Sequence, residues 1–491
     1  MSTETSFRIL WPIIITFIVP WLIMLSKRYP NLRESWSFAG AISVFLSVAV
    51  LWPDVLDGKI YQYTVFTLLP GVKISFLVDS LSLVFASVAS FLWILTTSYN
   101  IGYMRSLKEH AQTRYYTCFA IAIFGAMGVA LSGNIFTLYL FYEIITFSTY
   151  PLVAHHQDEE AYESGKKYLV YLVGSAKLFF LPAMILTYVM TGTLDYSFGE
   201  VVHGIFPVDA NPILVTIVYF LYIAGFAKAA IMPLHNWLPS AMVAPTPVSA
   251  LLHAVAVVKA GVFSISRIIL SVFGVELLQN LHLGIITAYL VCFTITLASI
   301  IALTKDDLKA RLAYSTVSQL SYIVLGVALL TPSGVTGGLL HIFNHAFSKI
   351  TLFFCAGAIF TATGLKKISQ MGSIGRRMPW TLGAFAVAAL SMIGTPPVCG
   401  FVSKWYLMLG SLQRQQPLIV AVLLVSSFLN AAYFVPVIFK AFFGKPHPEV
   451  SLDKINEASP MMVTALLITA VGSVAFGLYP NLFLKLLEGL W

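Results

Sequence analysis

Five lysines and one glutamate lie where ionised side chains are hardest to keep. Lys177, Lys228, Lys259, Lys349 and Lys404, with Glu143, all fall inside long apolar runs. A charge near the centre of a bilayer costs at least a few kcal/mol, so such residues mark ion pathways and proton relays. Burial disfavours the charged form of an ionisable group, and a neighbouring opposite charge restores it. A lysine and a carboxylate that move relative to one another inside a membrane can therefore take up and release a proton. Glu143 and Lys228, on neighbouring segments, are the first candidates, with Lys259 and Lys404 beyond them. Structural readings stand beside this one. Glu143 and Lys228 could be a buried ion pair that only fixes helix packing, and Lys177 could be a packing ion-pair partner. Lys349 could snorkel to an interface, and Lys404, just past a proline pair, could be the counter-charge of a helix end.

Histidines extend the row. His253 lies six residues before Lys259, and His341, His345 and Lys349 are spaced four and four, on one stripe of a helix. That spacing also suits a metal pair, but no cysteine or carboxylate joins it and the third member is lysine. A proton relay is the expected use, since neutral imidazole both donates and accepts; no metal is expected. His235 sits in Pro233-Leu-His-Asn-Trp-Leu-Pro239. Pro233, Pro239, Pro396 and Pro397 free backbone carbonyls that, at membrane depth, must face protein or water. His155 and His156 precede Asp158, Glu159, Glu160 and Glu163, either a solvated loop or the mouth of a proton funnel.

The elements that position these residues must be membrane helices. Of 491 residues 58% are apolar and 10% charged, whereas soluble domains carry roughly 25% charged residues. Several runs exceed 18 residues without a charge, and such runs must satisfy their own backbone as helices. Fourteen spans are expected, near 9–26, 36–53, 74–98, 115–132, 134–154, 168–191, 213–237, 244–270, 283–303, 313–331, 336–363, 381–411, 418–441 and 461–483. The first is read as a retained helix and not a cleaved signal. The formal charge of +8 reflects topology and not nucleic acid: 18 of the 29 lysines and arginines fall in the connections after odd-numbered spans. The positive-inside rule places those connections in the cytoplasm and both termini outside. Cys118, Cys292, Cys355 and Cys399 have no paired spacing and are expected to pack as small apolar residues.

One membrane domain over 1–491 is expected. Its parts are the first three helices (1–112), two five-helix units (113–272 and 280–442) and a last helix (443–491). Gly225-Phe-Ala-Lys228 and Gly400-Phe-Val-Ser-Lys404 stand five spans apart beside proline breaks. Units of five helices, an odd number, would insert in opposite orientations, a recurrent transporter design. No nucleotide-binding glycine loop, iron–sulfur cysteine set or haem motif is present in the sequence, so no cofactor is expected and energy must come from an ion gradient or a partner.

The stretch Gly225 to Arg267, with Ala244-Pro-Thr-Pro-Val-Ser-Ala250 and Lys259-Ala-Gly261, resembles the antiporter-like subunits of respiratory complex I and Mrp cation/proton antiporters. Asp307-Leu-Lys309, Leu312 to Gln319, His341 to Lys349 and Gly400 to Trp405 extend the likeness over spans 3 to 13. The resemblance implies a 14-helix fold with inverted repeats (helices 4–8 and 9–13) and broken helices 7 and 12. It also implies a Glu143–Lys228 pair, a central Lys259 and a terminal Lys404, and it looks most like the Mrp D subunit. Lys177 has no counterpart in that pattern. The sequence also lacks, after the last span, the long lateral helix of the largest complex I member.

The expected function is proton translocation within a multi-subunit Na+/H+ antiporter complex of a prokaryotic inner membrane. Lys177, His235, His253, His341, His345 and Lys349 would serve as relays. The partners would be other membrane subunits, the lipid bilayer, protons and Na+. The chain is read as a transporter subunit without a redox site of its own. A proton-pumping subunit of a redox-driven hydrogenase or quinone reductase is the alternative, and a scaffold whose lysines only pair is a third reading.

Overall fold

The computed structural model describes residues 2–197, 202–207, 209–448 and 451–490. The chain is built of helices. In order they are α1 (Trp11–Leu25), α2 (Pro30–Ala49), α3 (Ser80–Ser106), α4 (Gln112–Ala130), α5 (Ile135–Val153) and α6 (Glu159–Thr191). Then come α7a (Pro212–Gly225), α7b (Trp237–Ser240), α8 (Thr246–Phe273), α9 (Leu283–Thr304), α10 (Leu308–Ala328) and α11 (Pro332–Thr363). The last are α12a (Pro379–Ile393), α12b (Cys399–Gln413), α13 (Pro417–Phe443), α14 (Pro460–Leu478) and α15 (Asn481–Glu488). Among the described residues nine helices are long and apolar enough to cross a membrane, and Pro212–Gly225 and Pro379–Ile393 are shorter apolar helices.

Burial sorts these helices into a core and a rim. The most apolar stretch of α8 is 100% buried, that of α3 89% and that of α11 78%, against 33% in α2, α6, α13 and α14. The two helices carrying His253, Lys259, His341, His345 and Lys349 are thus covered by protein and not by lipid. Arg267 anchors α8 to the start of α3: its guanidinium reaches Asp79 at 2.5 and 2.9 Å and Ser82 Oγ at 2.9 Å. Asp79 also caps α3 by accepting the Ser82 amide at 2.8 Å.

Three features depart from the expected spans. Residues 74–78 are not helical; they belong to β3 (Val72–Val78), which pairs antiparallel with β2 (Lys59–Leu69), itself parallel to β1 (Ser2–Thr5). Gly71, at φ +76°, makes the turn that joins β2 to β3. The expected helix 213–237 leaves helical geometry at Phe226, and Lys228 stands in a 3-10 turn, Ala227–Ala229. The expected helix 381–411 breaks at Gly394 and resumes at Cys399. Both breaks therefore begin ahead of the prolines. Finally, α6 contains a π turn at Ala176–Phe180, and α8 contains π turns at Leu251–Val255 and Ile269–Phe273. These insert an extra residue and re-aim the side chains around it; the first holds Lys177 and the second His253.

Glycine lets α8 close on the first break. A Cβ at Gly261 would stand 2.2 Å from Ala229 N and 2.4 Å from Lys228 C. Trp237 then satisfies one freed carbonyl, donating from Nε1 to Ala227 O at 3.0 Å.

Candidate functional site

Glu143 lies on α5, 7% exposed, and neither carboxylate oxygen has a hydrogen-bond partner. The ammonium nearest to it is Lys177, at 3.8 Å. Lys177 also donates to Tyr139 Oη at 2.5 Å, and its half-exposed side chain is presented by the π turn of α6. Lys228 is fully buried and donates to Tyr142 O at 2.8 Å and Thr146 Oγ1 at 2.7 Å, residues that flank Glu143 on the same helix. It makes no ion pair with Glu143 within 4 Å. Glu143 thus has Lys177 within ion-pair distance, and Lys228 bonded to the same helix.

The middle of the row is a direct contact between two largely buried helices, α8 and α11. Lys259 Nζ lies 2.9 Å from His345 Nδ1, and both residues are fully buried. His345 Nε2 has no partner, and the His341 ring follows at 6.0 Å. His341 joins Ser403 Oγ at 2.8 Å and Gln319 Oε1 at 3.0 Å. His253 is fully buried with both nitrogens unpartnered, 4.6 Å from the Phe353 ring. Unsatisfied buried polar atoms are uncommon and call for an explanation such as water or a chemical role.

A second set of bonds leads from Lys349 to Lys404. Lys349 Nζ donates to Ser315 Oγ at 2.8 Å, and the Ser315 hydroxyl in turn hydrogen-bonds Tyr433 Oη at 3.0 Å. Tyr433 also bonds Asn430, whose amide donates to Met392 O at 3.1 Å. Lys404 Nζ donates to that carbonyl at 2.7 Å, to Ile393 O at 2.8 Å and to Ser427 Oγ at 3.2 Å. Lys404 therefore rests on the last carbonyls of α12a, where a cation complements the helix end. Gly394 makes this geometry possible: its φ is +92°, and a Cβ there would meet Lys404 Cδ at 2.6 Å.

The remaining sequence candidates lie apart. His235 is half-buried in the first break, with Nδ1 unpartnered and its ring 6.2 Å from Tyr314. Pro233, Pro396 and Pro397 are exposed and Pro239 is half-buried. Ser315, Gln319 and Ser403 lie in stretches that carry the family likeness but have no role assigned there, and Tyr433 and Asn430 were not singled out; their only signal is a neutral polar residue within an apolar span. A cavity of about 840 Å³ opens beside Glu109, His156, Asp158, Glu160 and Lys309. The acidic residues expected in a loop form the start of α6, capped by Asp158, and His155 just before them is pushed down to about 3 by burial and by His110, and so stays neutral. Among the described residues one trio of possible metal ligands lies together, Glu109, His110 and His155, away from the lysine row.

A family model described as NADH:quinone oxidoreductase/Mrp antiporter, transmembrane, matches residues 132–430, a stretch that holds every residue from Glu143 to Lys404. The chain belongs to this family. NADH-quinone oxidoreductase subunit N of Desulforudis audaxviator is 32% identical over 484 residues, covering 95% of both chains. Na+/H+ antiporter subunit A1 of Staphylococcus haemolyticus is 31% identical over 440 residues, 84% of this chain and 53% of that relative, so this chain spans about half its length. In fold, a chain of the Mrp complex from a Dietzia species superposes with a TM-score of 0.87 at 22% identity, covering 98% of this chain and 96% of that one. The chain is accordingly a polytopic, antiporter-like membrane subunit of the Mrp and complex I family.

Proposed function

We propose that this chain translocates protons within a multi-subunit Na+/H+ antiporter complex of a prokaryotic inner membrane, along the axis from Glu143 through Lys259 to Lys404. The observation that carries this reading is the direct contact of two titratable groups at the buried centre, Lys259 Nζ to His345 Nδ1 at 2.9 Å, both fully buried. A scaffold would not need buried amines at Lys259, Lys349 and Lys404, because apolar replacements serve packing as well. Glu143, Lys177 and Lys228 form the first station, Lys259 with His345 and His253 the centre, and Lys404 the exit. Fourteen spans with inverted repeats 4–8 and 9–13 fit the alternation of basic loops and the two breaks, and both termini then face outward. Terminal Lys404 is the residue that favours a D-type subunit. Lys404→Ala and Glu143→Ala should each abolish pH-gradient-driven exchange in vesicles, with the complex still assembled; unimpaired exchange would overturn the assignment.

The similarity to NADH-quinone oxidoreductase subunit N over 95% of both chains favours a second reading, a proton-pumping subunit of a redox-driven complex. Copurification separates the two: small antiporter subunits support the first, and subunits of a quinone reductase or hydrogenase support the second.

A further inference from the structure

Two connections meet on the face of the molecule that bears the acidic start of α6, a helix capped by Asp158 and not the loop expected from the sequence. The segment after α3 presents Glu109 and His110, and the turn after α5 presents His155. Glu109 Oε2 lies 3.9 Å from His110 Nδ1 and 3.8 Å from His155 Nε2, and the two imidazole centroids are 4.7 Å apart. One ligand atom from each residue falls within 4.8 Å of the others. His155 is fully buried, yet neither of its ring nitrogens has a hydrogen-bond partner. A buried imidazole that turns Nε2 toward a carboxylate oxygen at 3.8 Å and lies near a second imidazole presents a nitrogen suited to metal ligation.

The backbone beneath the trio is fixed. Arg114 Nη2 donates to His155 O at 3.0 Å, and Gln112 Nε2 donates to Glu109 O at 3.1 Å. His110 is exposed and Glu109 half-buried, so one side of the group is open to solvent and the other is closed by His155. Two imidazoles and one carboxylate with an open position form a donor set suited to zinc and its neighbours, at metal–nitrogen distances of about 2.0–2.1 Å. Closing the trio around an ion requires side-chain rotation of the accessible Glu109 and His110, with His155 held still.

We propose that Glu109, His110 and His155 form a binding site for a divalent transition-metal ion of the zinc class. Glu109 also lines the cavity of about 840 Å³ shared with His156, Asp158, Glu160 and Lys309. An ion held by Glu109 removes one acid from that wall, so Zn2+ slows proton uptake through the cavity. This last step rests on the proton-translocating function proposed above; the binding site does not.

Calorimetric titration of the intact, tag-free complex with ZnCl2 tests the site. One saturable Zn2+ per chain is expected at this group, weakened at least about tenfold in His155→Gln and in His110→Gln. Zinc-edge X-ray absorption should show two imidazoles. The exposed position of His110 keeps the test informative if His155→Gln folds poorly. Absence of a saturable site, or unchanged affinity in both variants, would overturn the proposal. In vesicles, the Zn2+ concentration for half-inhibition, taken relative to each variant's own rate, should rise about tenfold. Unshifted inhibition with weakened binding would overturn the link to the cavity. A complex without exchange activity would sink the transport reading, while the titration would still decide the site.

Discussion

Gly394 and Lys404 illustrate how closely single residues are fitted at the second break. Gly394 turns the chain at φ +92° and leaves room for the Lys404 stem, which then covers the carbonyls of Met392 and Ile393. Gly394→Ala would force an L side chain into a strained backbone and into Lys404 Cδ. A loss of about 1–3 kcal/mol is expected, measurable as a lower Tm of the complex in detergent, with no change arguing that the lysine sits elsewhere. The residue scale is also where the sequence was most and least informative. Buried lysines are legible because ionised side chains are so rare in apolar runs. Their partners are not: Ser315 and Tyr433 are 118 positions apart, and a serine or tyrosine in a membrane helix carries no mark of what it bonds. The likeness to the family placed Glu143 beside Lys228, whereas the nearest ammonium is that of Lys177, aimed by a π turn that leaves no signature in composition or spacing.

At the scale of elements, α10, α11, α12a and α13 are joined by side chains that act as one bridge. Ser315 on α10 is hydrogen-bonded to both Lys349 on α11 and Tyr433 on α13. Removing either half of the bridge should therefore remove the whole. Ser315→Ala and Tyr433→Phe should each slow exchange, and the double variant should be no slower than the worse single one. Additive losses in a double-mutant cycle would show the two to be independent. The breaks in α7 and α12 were readable from proline and run length, but not their starting points. Proline disfavours the helix conformation of the residue before it, yet the chain leaves the helix earlier, at Phe226 and Gly394; Lys404 binds the carbonyls at the second break, whereas Lys228 binds the Tyr142 carbonyl of α5. The strand Val72–Val78 was hidden for a different reason: its apolar end, Phe76-Leu77-Val78, runs directly into the apolar start of α3, and only the Asp79 cap separates them.

At the scale of the whole molecule, the basic connections predict a sidedness for the bundle. The turn between Trp52–Leu56 and β2 should be outside, and the segment from His156 to Glu160 inside. A single cysteine introduced at Asp57 should react with a membrane-impermeant maleimide on intact cells, and one at Glu160 only in inverted vesicles; the reverse pattern would invert the topology. Within that frame α8 and α11 belong to the buried centre of the bundle, and α2, α6, α13 and α14 are among its more exposed helices. Such an arrangement keeps Lys259 and His345 apart from both lipid and bulk water, which is what a controlled proton step requires.

Buried lysines that carry protons differ from fixed cations in one respect: they must let the proton go. Lys259→Arg removes that ability, because a guanidinium keeps the charge but does not release its proton at physiological pH. With assembly verified by copurification, pH-gradient-driven exchange in vesicles should fall by about 100-fold or more. Exchange at the rate of the unaltered complex would contradict the account, leaving Lys259 a structural cation beside His345.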